Sequence, residues 1–148
     1  MIFKPQKIVS RLQEIDWPGL HVLGYRYVAF DKDNTLSNPG SLSIHPSIFS
    51  SFNSCIETFK RENIVIVSNS AGSYKDKNYI EANKIEQELK ISVLRHSMKP
   101  FNAGKLMAHF KQDNGSKIVI VGDRVLTVFI NNLGRGLWQQ YISIYNLD

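Results

Sequence analysis

Cysteine is nearly absent from this chain. One thiol, Cys55, in 148 residues excludes a disulfide framework and a cysteine-ligated zinc site. Cys55 falls on the apolar face of an expected helix, where an inert buried thiol is expected rather than a nucleophile. Also missing is any apolar run near the roughly 18–20 residues that cross a bilayer. The N-terminus lacks the apolar core of a secretory signal, so none is expected. No internal repeat, low-complexity tract or interdomain linker is visible. Lys and Arg form no stripe interleaved with aromatics, which argues against nucleic acid as a partner. Acid is scarce at the start, where the first 13 residues hold Lys4, Lys7 and Arg11 but no Asp or Glu.

What remains is ordinary soluble composition, 43% hydrophobic and 21% charged, with a net charge of +5. The length predicts a single domain over residues 1–148. Within residues 1–20, Ile8, Val9, Leu12 and Ile15 recur at roughly helical spacing. A short basic amphipathic segment of this kind can lie on an anionic membrane or form part of an organelle address. A helix packing one side on the domain explains the pattern equally well.

Five stretches rich in Val, Ile or Tyr read as buried parallel strands: 25–31, 64–68, 91–95, 117–122 and 140–145. Helical patterns lie between them over 46–62, 76–90 and 102–112, with apolar positions at Ile48, Phe52, Ile56 and Phe59, at Ile80, Ile85 and Leu89, and at Leu106, Met107 and Phe110. Strands alternating with helices predict an α/β fold with a parallel sheet covered on both faces. Local pattern leaves the strand order open.

The first strand delivers two carboxylates, Asp31 and Asp33, to its carboxyl end, where ligands bind in such sheets. Residues i and i+2 of an extended chain point the same way, so both acids can face one reacting group. Acids held that close favour different protonation states or a shared metal ion. Asp-Lys-Asp-Asn is also good turn composition. A calcium loop is excluded, because its required Gly and Glu positions hold Leu36 and Leu42.

Three further strands end in polar groups. Ser68-Asn69-Ser70-Ala71-Gly72 offers a hydroxyl and backbone N–H groups to an anion, or a helix N-cap. Arg95-His96-Ser97-Met98-Lys99-Pro100 places Lys99 on a loop, since the following proline disfavours helix. His96 reads as a surface or supporting residue rather than a catalytic one. Gly122-Asp123 sets a third carboxylate past a strand, as a metal ligand or a cap. A carboxylate pair, a hydroxyl, a cation and a further acid, each ending its own strand, are the groups that phosphate-monoester hydrolysis requires.

In that order the chain resembles the haloacid dehalogenase (HAD) superfamily, with Asp31-Lys-Asp33-Asn-Thr-Leu36, Ser68, Lys99 and Gly122-Asp123 matching its four motifs. Ile15-Asp-Trp17, Phe30 through Leu36, Ser68 through Gly72, Arg95-His96 with Lys99-Pro100, and Gly122-Asp-Arg124 look like the mitochondrial phosphatidylglycerophosphatases. The resemblance implies a three-layer Rossmann-like fold and release of phosphate from phosphatidylglycerophosphate, on the route to cardiolipin. It implies Asp31 as nucleophile forming an aspartyl-phosphate, and Asp33 as general acid and then base. It implies Mg²⁺ held by Asp31, the Asp33 carbonyl and Asp123, with Ser68 and Lys99 on the phosphoryl oxygens and Thr35 and Asn69 in support. A phospholipid substrate, peripheral contact with an anionic membrane and the matrix side of the mitochondrial inner membrane follow from the same likeness.

Neither the stretch from Asp33 to Ser70 nor that from Ser70 to Lys99 has room for an inserted cap domain. An open site suits a lipid or a macromolecule over a sugar phosphate. One departure stands out, because the fourth motif of the family carries a second acid where this chain has Val128. Its loss is expected to weaken Mg²⁺ binding. A phosphatase acting on protein or nucleic acid, and a weakly active or inactive homologue that binds phospholipid, are the alternatives.

Overall fold

The computed structural model describes residues 7–9, 12–32, 36–37, 41, 43–96, 103–112, 117–122 and 141–144. Its strands are β1 Lys7–Val9, β2 Tyr27–Asp31, β3 Ile64–Val67, β4 Ser92–Val93, β5 Ile118–Gly122 and β6 Tyr141–Ile144. The α-helices are α1 Trp17–Val22, α2 Phe49–Phe59, α3 Ile80–Leu89 and α4 Ala103–His109. All six strands join one sheet in the order β1-β6-β5-β2-β3-β4, and every pairing is parallel. Strands β2 to β6 fall within the five expected stretches. Parallel strands buried on both faces read as continuous Ile/Val runs, and β3 and β5 show this.

Alternate strand residues feed two cores. Val28, Phe30, Ile64, Ile66, Val119 and Val121 pack with residues of α1, α2 and α3 on one face. Ala29, Val65, Val67, Ile118 and Ile120 pack with Leu106 and Phe110 around α4 on the other. The result is the three-layer α/β arrangement. Phe110 stacks on Tyr27 with ring centroids 4.7 Å apart. Trp17 anchors the first core, tilted against Phe30 at 5.6 Å and donating Nε1–H to Ser51 Oγ at 3.1 Å. Ser51 Oγ–H in turn donates to the Leu12 carbonyl at 2.9 Å, so both polar side chains of this inner contact are hydrogen-bonded. Cys55 is buried among the apolar side chains of α2, and burial pushes its thiol pKa up, which makes it inert.

The N-terminal expectation needs correction. Ile8 and Val9 do not begin a helix; Lys7–Val9 forms an edge strand pairing Val9 with Ile144. Adjacent β-branched residues favour a strand, and spacing over so few positions fits either period. Val9, Leu12, Ile15 and Trp17 are all buried in the first core. Val9, Leu12 and Ile15, three of the apolar side chains that made this segment look membrane-seeking, are therefore spent on the domain. No helix among the described residues is long and apolar enough to cross a membrane.

Candidate active site

Strand β2 lies between β3 and β5, and the chain turns from one side of it to the other after β4. This is the switch point where a crevice opens at the carboxyl ends of the strands. Asp31 ends β2 there, buried, in register with Val67 of β3. Its Oδ1 accepts the backbone N–H of Lys32 at 2.9 Å. On the other side Phe30 pairs with Val121, which sets Gly122 level with Asp31. Ser68 and Gly122 therefore leave their strands on either side of the Asp31 carboxylate.

Ser68 is buried, and its Oγ accepts the N–H groups of Ser70 at 3.1 Å and Ala71 at 3.2 Å. Its own O–H remains as a donor, shared with Ser70 Oγ at 3.1 Å. No helix begins at this point, so the hydroxyl caps a turn rather than an α-helix. Asn69 is exposed beside it at the crevice mouth. Of the expected site residues, Asp31, Ser68 and Asn69 are thus brought to one end of the sheet. Asp33, Thr35, Lys99 and Asp123, with Val128, lie outside the described residues.

Local pattern did not reveal what holds the Ser68 loop. His96 is buried, and its Nε2 lies 2.8 Å from the Ser68 carbonyl. Its backbone N–H donates to the Gly72 carbonyl at 2.8 Å. Gly72 has φ +78°, and a Cβ there would sit 2.3 Å from the Leu94 carbonyl oxygen. Only glycine suits that contact. Asp76 closes the loop from the other end, with Oδ2 accepting from Gly72 N at 2.9 Å and Ala82 N at 3.0 Å, and Oδ1 from Glu81 N at 3.0 Å. Burial alone would raise the Asp76 pKa, but these three N–H donors and the charge of Arg95 hold it below its ordinary value. Aspartate just ahead of a helix was the available signal. Arg95 is committed elsewhere, forking onto both carboxylate oxygens of Glu86 at 2.6 and 3.0 Å.

Lys32 is the second surprise. It is buried, and its Nζ donates to Ser37 Oγ at 3.2 Å and to the Ser41 carbonyl. Its own carbonyl accepts from Leu36 N at 2.8 Å and Ser37 N at 3.1 Å. Only residues 32–48 separate β2 from α2 and 68–79 separate β3 from α3, so neither connection holds a cap domain.

Among the described residues no three His, Cys, Asp or Glu side chains gather as a metal cluster. Asp31 is the described member of the implied ligand set, and it fits. Asp31 is a carboxylate, and hard oxygen donors of this kind suit Mg²⁺.

Known sequences add the last part. The family described as mitochondrial PGP phosphatase matches residues 1–142. The chain is 37% identical over 126 residues to the chloroplastic phosphatidylglycerophosphate phosphatase 1 of Chlamydomonas reinhardtii, covering 83% of this chain and 46% of that protein. It is 39% identical over 126 residues to the chloroplastic/mitochondrial phosphatidylglycerophosphate phosphatase 1 of Arabidopsis thaliana, covering 83% of this chain and 36% of that protein. To the mitochondrial phosphatidylglycerophosphatase of Saccharomyces cerevisiae it is 31% identical over 143 residues, covering 91% of this chain and 76% of the yeast protein. The chain spans less than half the length of the algal and plant relatives. No solved structure matches. A match running from the first residue into β6, over a parallel sheet in which β2 ends at Asp31 and β3 ends just before Ser68, places this chain in the mitochondrial PGP phosphatase family.

Proposed function

We propose that this chain is a Mg²⁺-dependent phosphatase that converts phosphatidylglycerophosphate to phosphatidylglycerol and phosphate, within cardiolipin synthesis at the matrix side of the mitochondrial inner membrane. The observation that carries the reading is Asp31, a buried carboxylate at the switch point, in register with Val67, the residue just before the buried Ser68. In this reading Asp31 attacks phosphorus in line, and the bond to the glycerol oxygen breaks as the aspartyl-phosphate forms. Asp33 protonates the departing oxygen, then takes a proton from the water that attacks the aspartyl-phosphate. Ser68 and Lys99 bind the phosphoryl oxygens as charge builds on them, with Thr35 and Asn69 in support. Asp31, the Asp33 carbonyl and Asp123 would hold Mg²⁺, which would supply further positive charge to those oxygens. The crevice lacks a cap between described elements, which suits a headgroup whose tails stay in a bilayer.

The test is phosphate release from phosphatidylglycerophosphate by the wild type and by Asp31→Asn. Mg²⁺-dependent release that disappears in the variant is expected. No release by folded wild-type protein at any Mg²⁺ concentration would end this reading. A second reading, a weakly active relative that binds phospholipid, draws on Val128 in place of the family's second acid. It is tested by Val128→Asp and by insertion of Asp after Thr127. A gain in rate or Mg²⁺ affinity in either variant supports it, and no gain in both removes it.

A further inference from the structure

We propose that the rim carrying Phe49, Tyr74, Lys75, Lys77 and Ile80 is the surface on which this protein rests on an anionic phospholipid bilayer, with the Asp31 crevice turned to the headgroups. The inference deepens the lipid-phosphatase reading and names the docking face. It begins from topology. In a parallel sheet each helix returns from the carboxyl end of one strand to the amino end of the next. Phe49 is the first residue of α2 and Ile80 the first of α3, so both stand at the carboxyl end, with Asp31 and Ser68. The turn from 68 to 79, which holds Tyr74, Lys75 and Lys77, leaves β3 at that same end.

The rim is apolar where a soluble surface has least reason to be. Phe49 is 51% exposed, Tyr74 47% and Ile80 51%. Ile80 stands five residues before the buried Ile85, on a different face of α3, and lies outside the core. Three large exposed apolar side chains therefore stand at the end of the sheet that carries the crevice. Lys75 and Lys77 are exposed within the same turn, and Lys75 Nζ lies 5.8 Å from the Tyr74 ring centroid. Aromatic and aliphatic side chains that enter the headgroup boundary beside lysines that meet lipid phosphates form the chemistry of a bilayer-resting surface. Glu81 is an exposed acid at this end; the Asp76 carboxylate is turned inward onto backbone N–H groups.

Charge also argues against a second copy as the occupant, because a twofold contact through this rim would bring two lysine-bearing surfaces together. The N-terminal segment is a poorer candidate for the same task, since Val9, Leu12, Ile15 and Trp17 are in the core. The other large exposed apolar pair among the described residues, Val22 at 86% and Leu23 at 76%, ends α1 and leads to the amino end of β2, away from the crevice. That pair supplies an internal control.

The experiment measures co-sedimentation with vesicles of phosphatidylcholine and phosphatidylglycerol in equal parts, and with phosphatidylcholine alone. The proteins are wild type, Phe49→Ser/Tyr74→Ser/Ile80→Ser, Lys75→Gln/Lys77→Gln and Val22→Ser/Leu23→Ser. Binding to the anionic vesicles is expected to weaken about fivefold per lysine removed and more than about tenfold in the apolar triple variant. The Val22/Leu23 variant is expected to bind as wild type. Phosphate release from phosphatidylglycerophosphate in vesicles should fall with binding, while release from a soluble dibutyryl analogue persists in the rim variants. Rim variants that bind anionic vesicles as wild type does overturn the proposal. So does detachment in the Val22/Leu23 variant alone, or a wild-type dimer that the triple variant dissolves without loss of vesicle binding. If wild type hydrolyses neither substrate, the phosphatase reading fails, and the vesicle data still decide the rim.

Discussion

The Nε2 of His96 lies 2.8 Å from the backbone carbonyl oxygen of Ser68. A carbonyl can only accept, so this contact fixes the proton on Nε2. Because His96 N–H also bonds the Gly72 carbonyl, one residue past β4 grips both ends of the turn that presents the Ser68 hydroxyl. His96→Ala should destabilise the protein by about 1–3 kcal/mol, since it leaves a buried carbonyl without this donor. Phosphate release should fall about tenfold or more, the usual effect of removing a group that orients a functional one. Urea unfolding and initial rates, measured together, check both effects. A full rate in a destabilised variant would mean that His96 serves stability alone.

Gly72→Ala should be the most damaging small substitution in this loop. At φ +78° any β-carbon is strained, and here it would meet the Leu94 carbonyl oxygen at 2.3 Å. The loss should be about 2 kcal/mol or more. It is read as a lowered urea midpoint with an unchanged slope. Alanine that folds as stably as glycine would show that β4 and the turn can separate at little cost.

Asp76 gives a pH signature. Its folded pKa lies below the ordinary 3.8, so protons bind the unfolded chain more readily. Its stabilisation is complete above that ordinary value and is lost as pH falls through it toward the lower folded value. Asp76→Asn cannot accept through both positions, because its amide nitrogen would face backbone N–H groups. The variant should lose about 1–3 kcal/mol at pH 7, and the gap from wild type should close as pH drops below the ordinary value. Urea titrations of both proteins across that range decide it. A gap independent of pH would assign the stability to packing.

Much of this molecule is legible in its sequence. Ile64–Val67 and Ile118–Gly122 announce themselves as fully buried strands, and their polar exits, Ser68 and Asp123, follow at once in the sequence. Strand β1 was not readable, because three residues carry too short a pattern and its partner, β6, is at the far end of the chain. Strand order was likewise hidden, being set by crossovers rather than by local propensity. The Asp31 carboxylate was legible as chemistry, whereas the Lys32 ammonium was not. A lysine between two aspartates reads as solvated, and only the folded 32–48 connection supplies Ser37 and Ser41 to bury it.

Lys32 leads to the last prediction. Its backbone N–H holds Asp31 Oδ1 while its ammonium holds Ser37 Oγ and the Ser41 carbonyl, so one residue joins Asp31 to the connection beside it. Lys32→Met keeps the backbone bond and much of the buried stem but removes the cation. Ser37 Oγ still donates to the Ser41 carbonyl at 3.2 Å, so the connection should loosen rather than unfold. Hydrogen exchange at Leu36, Ser37 and His45, whose N–H groups bond Lys32 O, Lys32 O and Leu36 O, should accelerate by about tenfold, for a local loss of about 1.4 kcal/mol. Exchange in β3 should stay at the wild-type rate. Because the loosened segment adjoins Asp31, kcat should fall while global stability changes less. Lys32→Arg, which restores a charged donor, should recover part of both. Unchanged exchange at Leu36 and Ser37 in Lys32→Met would mean that backbone bonds alone hold this connection and that the buried ammonium has no part in it.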